Sequence, residues 1–363
     1  MSSGKCGFVQ CFSSFMGSRD FLRVRQSSFA AHSITNWPDN KEGAVSLTFD
    51  DGCASHLSLG IPALDARGLK GTFFLITNNV GSWGPWINAA DSGHEIGSHT
   101  KSHPYLTDLS LTQVQDELTG SKVAIDAQIT SQQCLTLAYP YGIVNSSVAS
   151  IAGSIFIASR GVSCAINIAP YDFNNVKACS PDPDNFDDLY AQTNTAEQQG
   201  AWLVTFIHSL NGGSDCWGNW TIDMWTNYLD YLKTKNLWVG TFGAAAKYIK
   251  ERGSAALSVS SSSNSQIVLS LTDSLDDTIY DQPLTLRSEV PSDWTSVTVQ
   301  QGSNSATVNS TVEGTTAVIY HKAVPDRGLI SLTKVASSGN LAPNGIIDTP
   351  VTNATLNAGD IIL

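Results

Sequence analysis

Charge is what this sequence has least of: only 14% of its 363 residues are Asp, Glu, Lys or Arg. The scarcer sign is positive, 20 Lys and Arg against 32 Asp and Glu, for a formal net charge of −12. That shortage excludes nucleic acid and anionic membrane surfaces as expected partners, since both are bound largely by Lys and Arg neutralising phosphates. Neutral glycans remain compatible. No stretch approaches the ~20 apolar residues needed to cross a bilayer, so no membrane insertion is expected. The N-terminus makes a poor secretory signal, because Ser, Gly, Arg and Asp break up its apolar run. The seven cysteines lack any CxxC or other zinc-cluster spacing, and an odd number leaves at least one unpaired within the chain. Cys164 and Cys179 are spaced for a short disulfide loop, with two free thiols as the equal alternative. Sequons at Asn145, Asn219, Asn309 and Asn353 add to a reading of secretion or cell-surface display. No internal repeat is visible.

Hydrophobic residues reach 42%, enough for a globular chain of more than one domain. From Ala44 to Arg252 short apolar runs alternate with helix-like stretches. Strands are expected at Ala44–Phe49, Gly71–Ile76, Glu95–Gly97, Leu135–Ala138, Ile155–Ala158 and Trp202–Ile207, with Trp238-Val239 a short further run. Helices are expected at Ser55–Arg67, Trp86–Ser92, Ser110–Ile129, Ser146–Ala152, Ile222–Lys233 and Thr241–Glu251. Such repetition predicts an α/β fold, a parallel sheet with helices outside, as a barrel or a doubly wound sheet. After Arg252 helical periodicity vanishes. A Ser-rich stretch leads into β-rich runs ten to eighteen residues apart, the pattern of a small all-β sandwich. The expected organisation is an N-terminal extension (1–43), an α/β domain (44–254), a β-sandwich-like domain (255–335) and an irregular tail (336–363).

In a parallel sheet chemistry gathers at the carboxyl ends of the strands. Three polar groups fall there. Asp50-Asp51 closes the first strand, and two adjacent carboxylates pointing different ways let one bind a cation while the other handles protons; an acidic helix-capping turn is the alternative. His99 and His103, four apart, face the same way if they lie on a helical turn, and both imidazoles then reach one metal. His208 is delivered by the apolar run Leu203–Ile207, as a single histidine at a strand end. Two histidines and a carboxylate form a facial site with open positions. A second carboxylate as base and a separate histidine as acid complete a constellation for metal-assisted hydrolysis. His56 is expected to face solvent on its helix.

These segments resemble the polysaccharide deacetylase family, carbohydrate esterase family four, also called the NodB homology domain. Thr48–Gly52 matches the TFDDG motif, His99–His103 the HSxxH motif with Thr100 for Ser, and Tyr139–Gly142 contains the PYG of the third motif. Phe206-Ile207-His208 stands at the last motif, and Leu237–Ile249 is similar to the closing strand and helix. The resemblance implies a distorted (β/α) barrel in which Asp51, His99 and His103 hold a divalent metal, usually Zn2+, with Co2+, Ni2+ or Mn2+ as alternatives. It further implies Asp50 as general base, His208 as general acid and the Tyr141 backbone N–H as oxyanion donor. The substrate would be an acetylated glycan losing N-acetyl groups. An O-acetyl esterase of the xylan type uses the same site, and a weakened, glycan-binding relative is the further alternative. Two departures stand out. Ala138 replaces the Arg that orients the base, for which Arg160 is the candidate substitute. The fourth motif is missing, with Asp182 and Asp184 near its place and Phe186 where Trp is expected.

Overall fold

The structure, a computed structural model, describes residues 31–180 and 186–336, with only the backbone of 186–188. Asp182, Asp184, Cys6, Cys11 and the tail from 337 lie outside the described residues. A short strand β1 (His32–Ile34) precedes the α/β part. That part runs β2 (Gly43–Phe49), α1 (Ile61–Asp65), β3 (Thr72–Leu75), α2 (Gly84–Asp91), β4 (Glu95–Ser98), α3 (Leu111–Gln128) and β5 (Thr136–Ala138). It continues through α4 (Ser146–Ile155), β6 (Ala158–Arg160), α5 (Phe186–Gln199), β7 (Trp202–Ile207), α6 (Ile222–Lys233), β8 (Leu237–Val239) and α7 (Phe242–Ser254). β2 to β7 are short and buried on both faces, which is why they read as near-continuous apolar runs rather than alternating ones.

All pairings in this sheet are parallel, in the order β6-β5-β4-β3-β2-β7, with β8 joined to the start of β2. The gap between the outer strands is bridged by an irregular segment. Val176 pairs with Arg160 of β6, and Cys179 with Thr205 of β7, both in parallel sense. The result is the distorted (β/α) barrel expected from the motifs.

Local departures have local causes. The expected helix over 55–67 starts as a π-helical turn, His56–Gly60, and becomes α-helical only at α1. Pro62 has no N–H to continue a regular ladder across that join. The strand expected at Ile155–Ala158 lies at Ala158–Arg160 instead, because α4 runs on to Ile155, placing Ile151 and Ile155 on one face against the core. α5 gives no apolar signal in the sequence, since the face it buries is made of Leu189, Thr193 and Ala196.

Eight strands follow: β9 (Ala256–Ser262), β10 (Gln266–Thr272), β11 (Leu284–Val290), β12 (Ser296–Gln301), β13 (Asn304–Asn309), β14 (Thr311–Glu313), β15 (Thr316–Ala323) and β16 (Ile330–Lys334). They form two antiparallel sheets, β1-β11-β15-β14 and β13-β12-β16-β10-β9. The Ser-rich stretch is itself strand β9, paired with β10. β1, from before the barrel, pairs with β11 from after it. Trp37 is fully buried against Trp238 and Tyr248, its indole N–H donating to the Gly200 carbonyl at 2.9 Å. One apolar cluster joins Trp37, Tyr248 and Ile249 of α7, and Leu284 and Leu286 of β11.

Candidate active site and metal centre

Every polar group singled out in the barrel stands at the carboxyl end of a parallel strand. Asp50 follows β2, His99 follows β4, Tyr139 follows β5, Arg160 ends β6 and His208 follows β7. All of these but Arg160, which is buried behind Asp50, line a cleft of 460 Å3 together with Asp51, His103, Tyr141, Gly142, Val162, Phe206 and Trp217. Asp51, Thr100, His103 and Tyr141 all have positive φ, four of the seven such non-glycine residues among those described. Strained backbone of this kind gathers at sites where direction matters more than comfort.

Asp51, His99 and His103 come together. The Asp51 Oδ1 lies 3.4 Å from His99 Nε2 and 3.6 Å from His103 Nε2, and the two Nε2 atoms are 3.2 Å apart. The histidines are not on a helical turn. Thr100 and His103 are left-handed, and the loop is folded by Glu117 of α3, which accepts from the backbone N–H of Lys101 and of Ser102 and from the Ser102 hydroxyl. His99 Nδ1 lies 2.7 Å from the Ala138 carbonyl, an acceptor only, so Nδ1 carries the proton and Nε2 turns a lone pair into the cleft. Burial pushes His99 down to about 4 and lowers His103 as well, keeping both imidazoles neutral near pH 7. Asp51 Oδ1 is buried with no hydrogen-bond partner. One orphaned carboxylate oxygen facing two imidazole Nε2 atoms fits a divalent cation, and the three ligand atoms lie within 4.8 Å of one another.

Asp50 is held differently. It is nearly inaccessible, and both of its oxygens accept from the guanidinium of Arg160, which is itself fully buried. Ala138 and Arg160 are register partners on β5 and β6, so the guanidinium reaches Asp50 from the position next door to the missing Arg. The small Ala138 leaves room for it. Phe74 and Phe206 sandwich the guanidinium at 5.3 and 4.8 Å. Burial alone would raise the Asp50 pKa, but Arg160, His99 and His208 together hold it at about 2. Asp51 moves the opposite way, raised by burial and by its charged neighbour Asp50.

His208 closes the other side, its Nε2 3.9 Å from Asp51 Oδ2. Its backbone is braced from the turn that follows Asp51. His56 is fully buried rather than solvent-facing, packed on Phe49 and Phe73, and its Nε2–H donates to the His208 carbonyl at 2.5 Å. Ser55 Oγ accepts from Leu210 N–H, and Ser55 N–H donates to Asp215. A disulfide, Cys53–Cys216, crosses the same gap. Neither His56 nor this bond was apparent in the sequence. The usable signal was a cysteine two residues after Asp51 and another eight after His208. Cys164–Cys179 is formed as the spacing allowed, and Cys134 is a buried free thiol.

Comparison with known proteins gives these residues a context. Residues 38–156 match the family model for polysaccharide deacetylase. A gellan lyase from a Bacillus species is 29% identical over 341 residues, 86% of this chain but 14% of that protein. The peptidoglycan-N-acetylglucosamine deacetylase PgdA of Listeria monocytogenes is 34% identical over 133 residues, 36% of this chain and 28% of that one. The chain thus spans less than a third of either relative. A Mycobacterium smegmatis structure assigned to the polysaccharide deacetylases shares the fold, with a TM-score of 0.50 at 17% identity over 61% of this chain and 94% of that one. The match to the polysaccharide deacetylase model thus falls on the barrel from β2 to α4, the part that carries Asp50, Asp51, His99, His103 and Tyr141.

Proposed function

We propose that this chain is a metal-dependent hydrolase that removes acetyl groups, N-acetyl in the first instance, from a glycan. The observation that carries this is the pairing of a buried, Arg160-held Asp50 with an orphaned Asp51 oxygen that faces two imidazole Nε2 atoms. One carboxylate is kept ionised and directed, the other is left for a cation. The activity named for the Listeria relative is of this kind. The lyase activity of the Bacillus relative is not carried across, because the matched stretch is a seventh of that protein.

Asp51, His99 and His103 would hold the cation, and two borderline imidazole donors with one carboxylate suit Zn2+. When bound, it polarises the acetyl carbonyl and lowers the pKa of water. Asp50 takes the proton from the attacking water, and its orientation comes from Arg160. The Tyr141 backbone N–H, on a left-handed residue at the cleft wall, donates to the developing oxyanion. His208, across the cleft, gives its proton to the departing amine, and acetate is released. Arg160 also removes one of the two supports for a binding protein without turnover, the Ala138 substitution; the other is the missing fourth motif. Secretion is proposed from the two disulfides, which persist in oxidising compartments.

The test is acetate release from N-acetylated chitooligosaccharides and from acetylxylan after loading with Zn2+. Asp50→Asn should lose at least about a hundredfold in kcat with metal content retained. His99→Ala should lose the metal itself by elemental analysis. A fully active Asp50→Asn removes the base assignment, and no release from any acetylated glycan by the loaded wild type overturns the reading.

A further inference from the structure

We propose that Trp217 is a sugar-stacking wall that makes the site select glycans longer than one ring, and that the Cys53–Cys216 bond fixes it in place. This rests on the deacetylase reading above. The loop between β7 and α6 is tied on every side. Ser209 N–H donates to the Trp217 carbonyl and Gly212 N–H to the Trp220 carbonyl, each at 2.9 Å. The Asp215 carboxylate accepts from Ser55 N–H at 2.6 Å and from the Ser209 hydroxyl at 2.8 Å, and the next residue is cross-linked to Cys53. So heavily restrained a loop nevertheless holds a large ring in water. Trp217 is 62% exposed, the most exposed aromatic side chain among the described residues, and it stands perpendicular to the His208 ring, 4.8 Å between centroids and 85° between planes.

Folding gains little from that exposure, whereas an indole face is a flat apolar platform suited to the C–H face of a pyranose. The placement favours such a use. On the far side of the cleft Tyr141 lies 4.5 Å from His103 and is stacked on Tyr105 at 4.0 Å and 11°. Aromatic rings therefore flank the Asp51 cluster at both ends, one beyond His103 and one beyond His208. An acetyl group delivered to Asp51 puts its own sugar in the middle, and the free face of Trp217 meets the neighbouring ring of the chain.

The experiment compares kcat/KM on an N-acetylated chitotetraose and on the N-acetylated monosaccharide. The tetramer-to-monomer ratio should fall about tenfold in Trp217→Ala, the size of one aromatic contact, and should largely survive in Trp217→Phe. Cys53→Ser/Cys216→Ser, checked for fold by circular dichroism, should lower the ratio as well. An unchanged ratio in Trp217→Ala, or equal losses on both substrates, overturns the proposal; equal losses would make the ring a support for His208. If the wild type releases no acetate from either, the deacetylase reading fails, and calorimetry with the tetramer decides separately. An about tenfold weaker Kd in Trp217→Ala then supports the wall, and an equal Kd removes it.

Discussion

At the scale of single residues the site is a study in keeping two adjacent carboxylates apart. Asp50 is buried yet stays ionised, because a guanidinium grips both its oxygens; Asp51 keeps an oxygen that nothing among the described residues satisfies. Arg160 is thus the residue on which the difference turns. Removing it outright leaves an uncompensated buried charge, a change worth about 3–5 kcal/mol. Arg160→Lys, which keeps the charge but loses the fork, is the cleaner probe. It should fold, bind metal as the wild type does, and lose about tenfold or more in kcat; wild-type kcat would show that the fork has no orienting role. Asp50, Asp51 and His208 were legible in the sequence as candidates at the ends of apolar runs, and His99 and His103 as candidates by their spacing of four. Arg160 was legible only as a candidate, since a β5–β6 register cannot be counted from spacing. His56, expected to face solvent with a pocket-lining place as the alternative, is instead packed inward on Phe49 and Phe73 behind His208.

Among elements, the strands were read best, because burial on both faces leaves them mostly apolar. Boundaries failed where a helix could run on with its face still apolar, as α4 does to Ile155. α5 escaped because Thr and Ala bury as well as Leu when the space is small. The loop from Ser209 to Trp220 carries its meaning in contacts with the turn after β2, and such long-range pairing leaves little local signal. Its cross-link closes a loop of 163 residues. Cys53→Ser/Cys216→Ser should therefore lose about 2–4 kcal/mol of stability, read as a lowered denaturation midpoint. His56→Leu, which keeps bulk but not the donor, should lower kcat severalfold with metal content intact. A change in metal content instead would place His56 with the ligands rather than behind His208.

For the whole molecule, the β-rich part and the barrel share one core across α7. Glu251, buried on α7, accepts from the backbone N–H of Gln282. Burial, reinforced by Asp273, pushes it up to about 8. Its folded-state pKa lies above the ordinary 4.5, so the folded chain holds a proton that the unfolded chain gives up. Stability is therefore complete below about pH 4.5 for this group and declines as pH rises towards 8, by on the order of a few kcal/mol. Glu251→Gln should flatten the fall in Tm between pH 5 and pH 8; an identical slope would mean Glu251 ionises without cost. The joint was only half legible. The change of character after Arg252 marked where strands begin, but β1, three residues long and 250 residues from its partner β11, gave no sign that the chain's start returns to that layer.

The barrel has one join that is not strand against strand, the segment Val176–Cys179 between β6 and β7, and Cys164–Cys179 is fastened to it. A closed cylinder opens where its circumference is weakest, so this join is the hinge along which the wall would part. Reduction should release it first. In hydrogen exchange the amides of Gly161 and Val176, which donate across the join, should lose protection in reductant before those of β2 and β3. Since Arg160 is the strand residue facing that join, the grip on Asp50 would slacken with it, and a barrel still largely intact would already be a silent one.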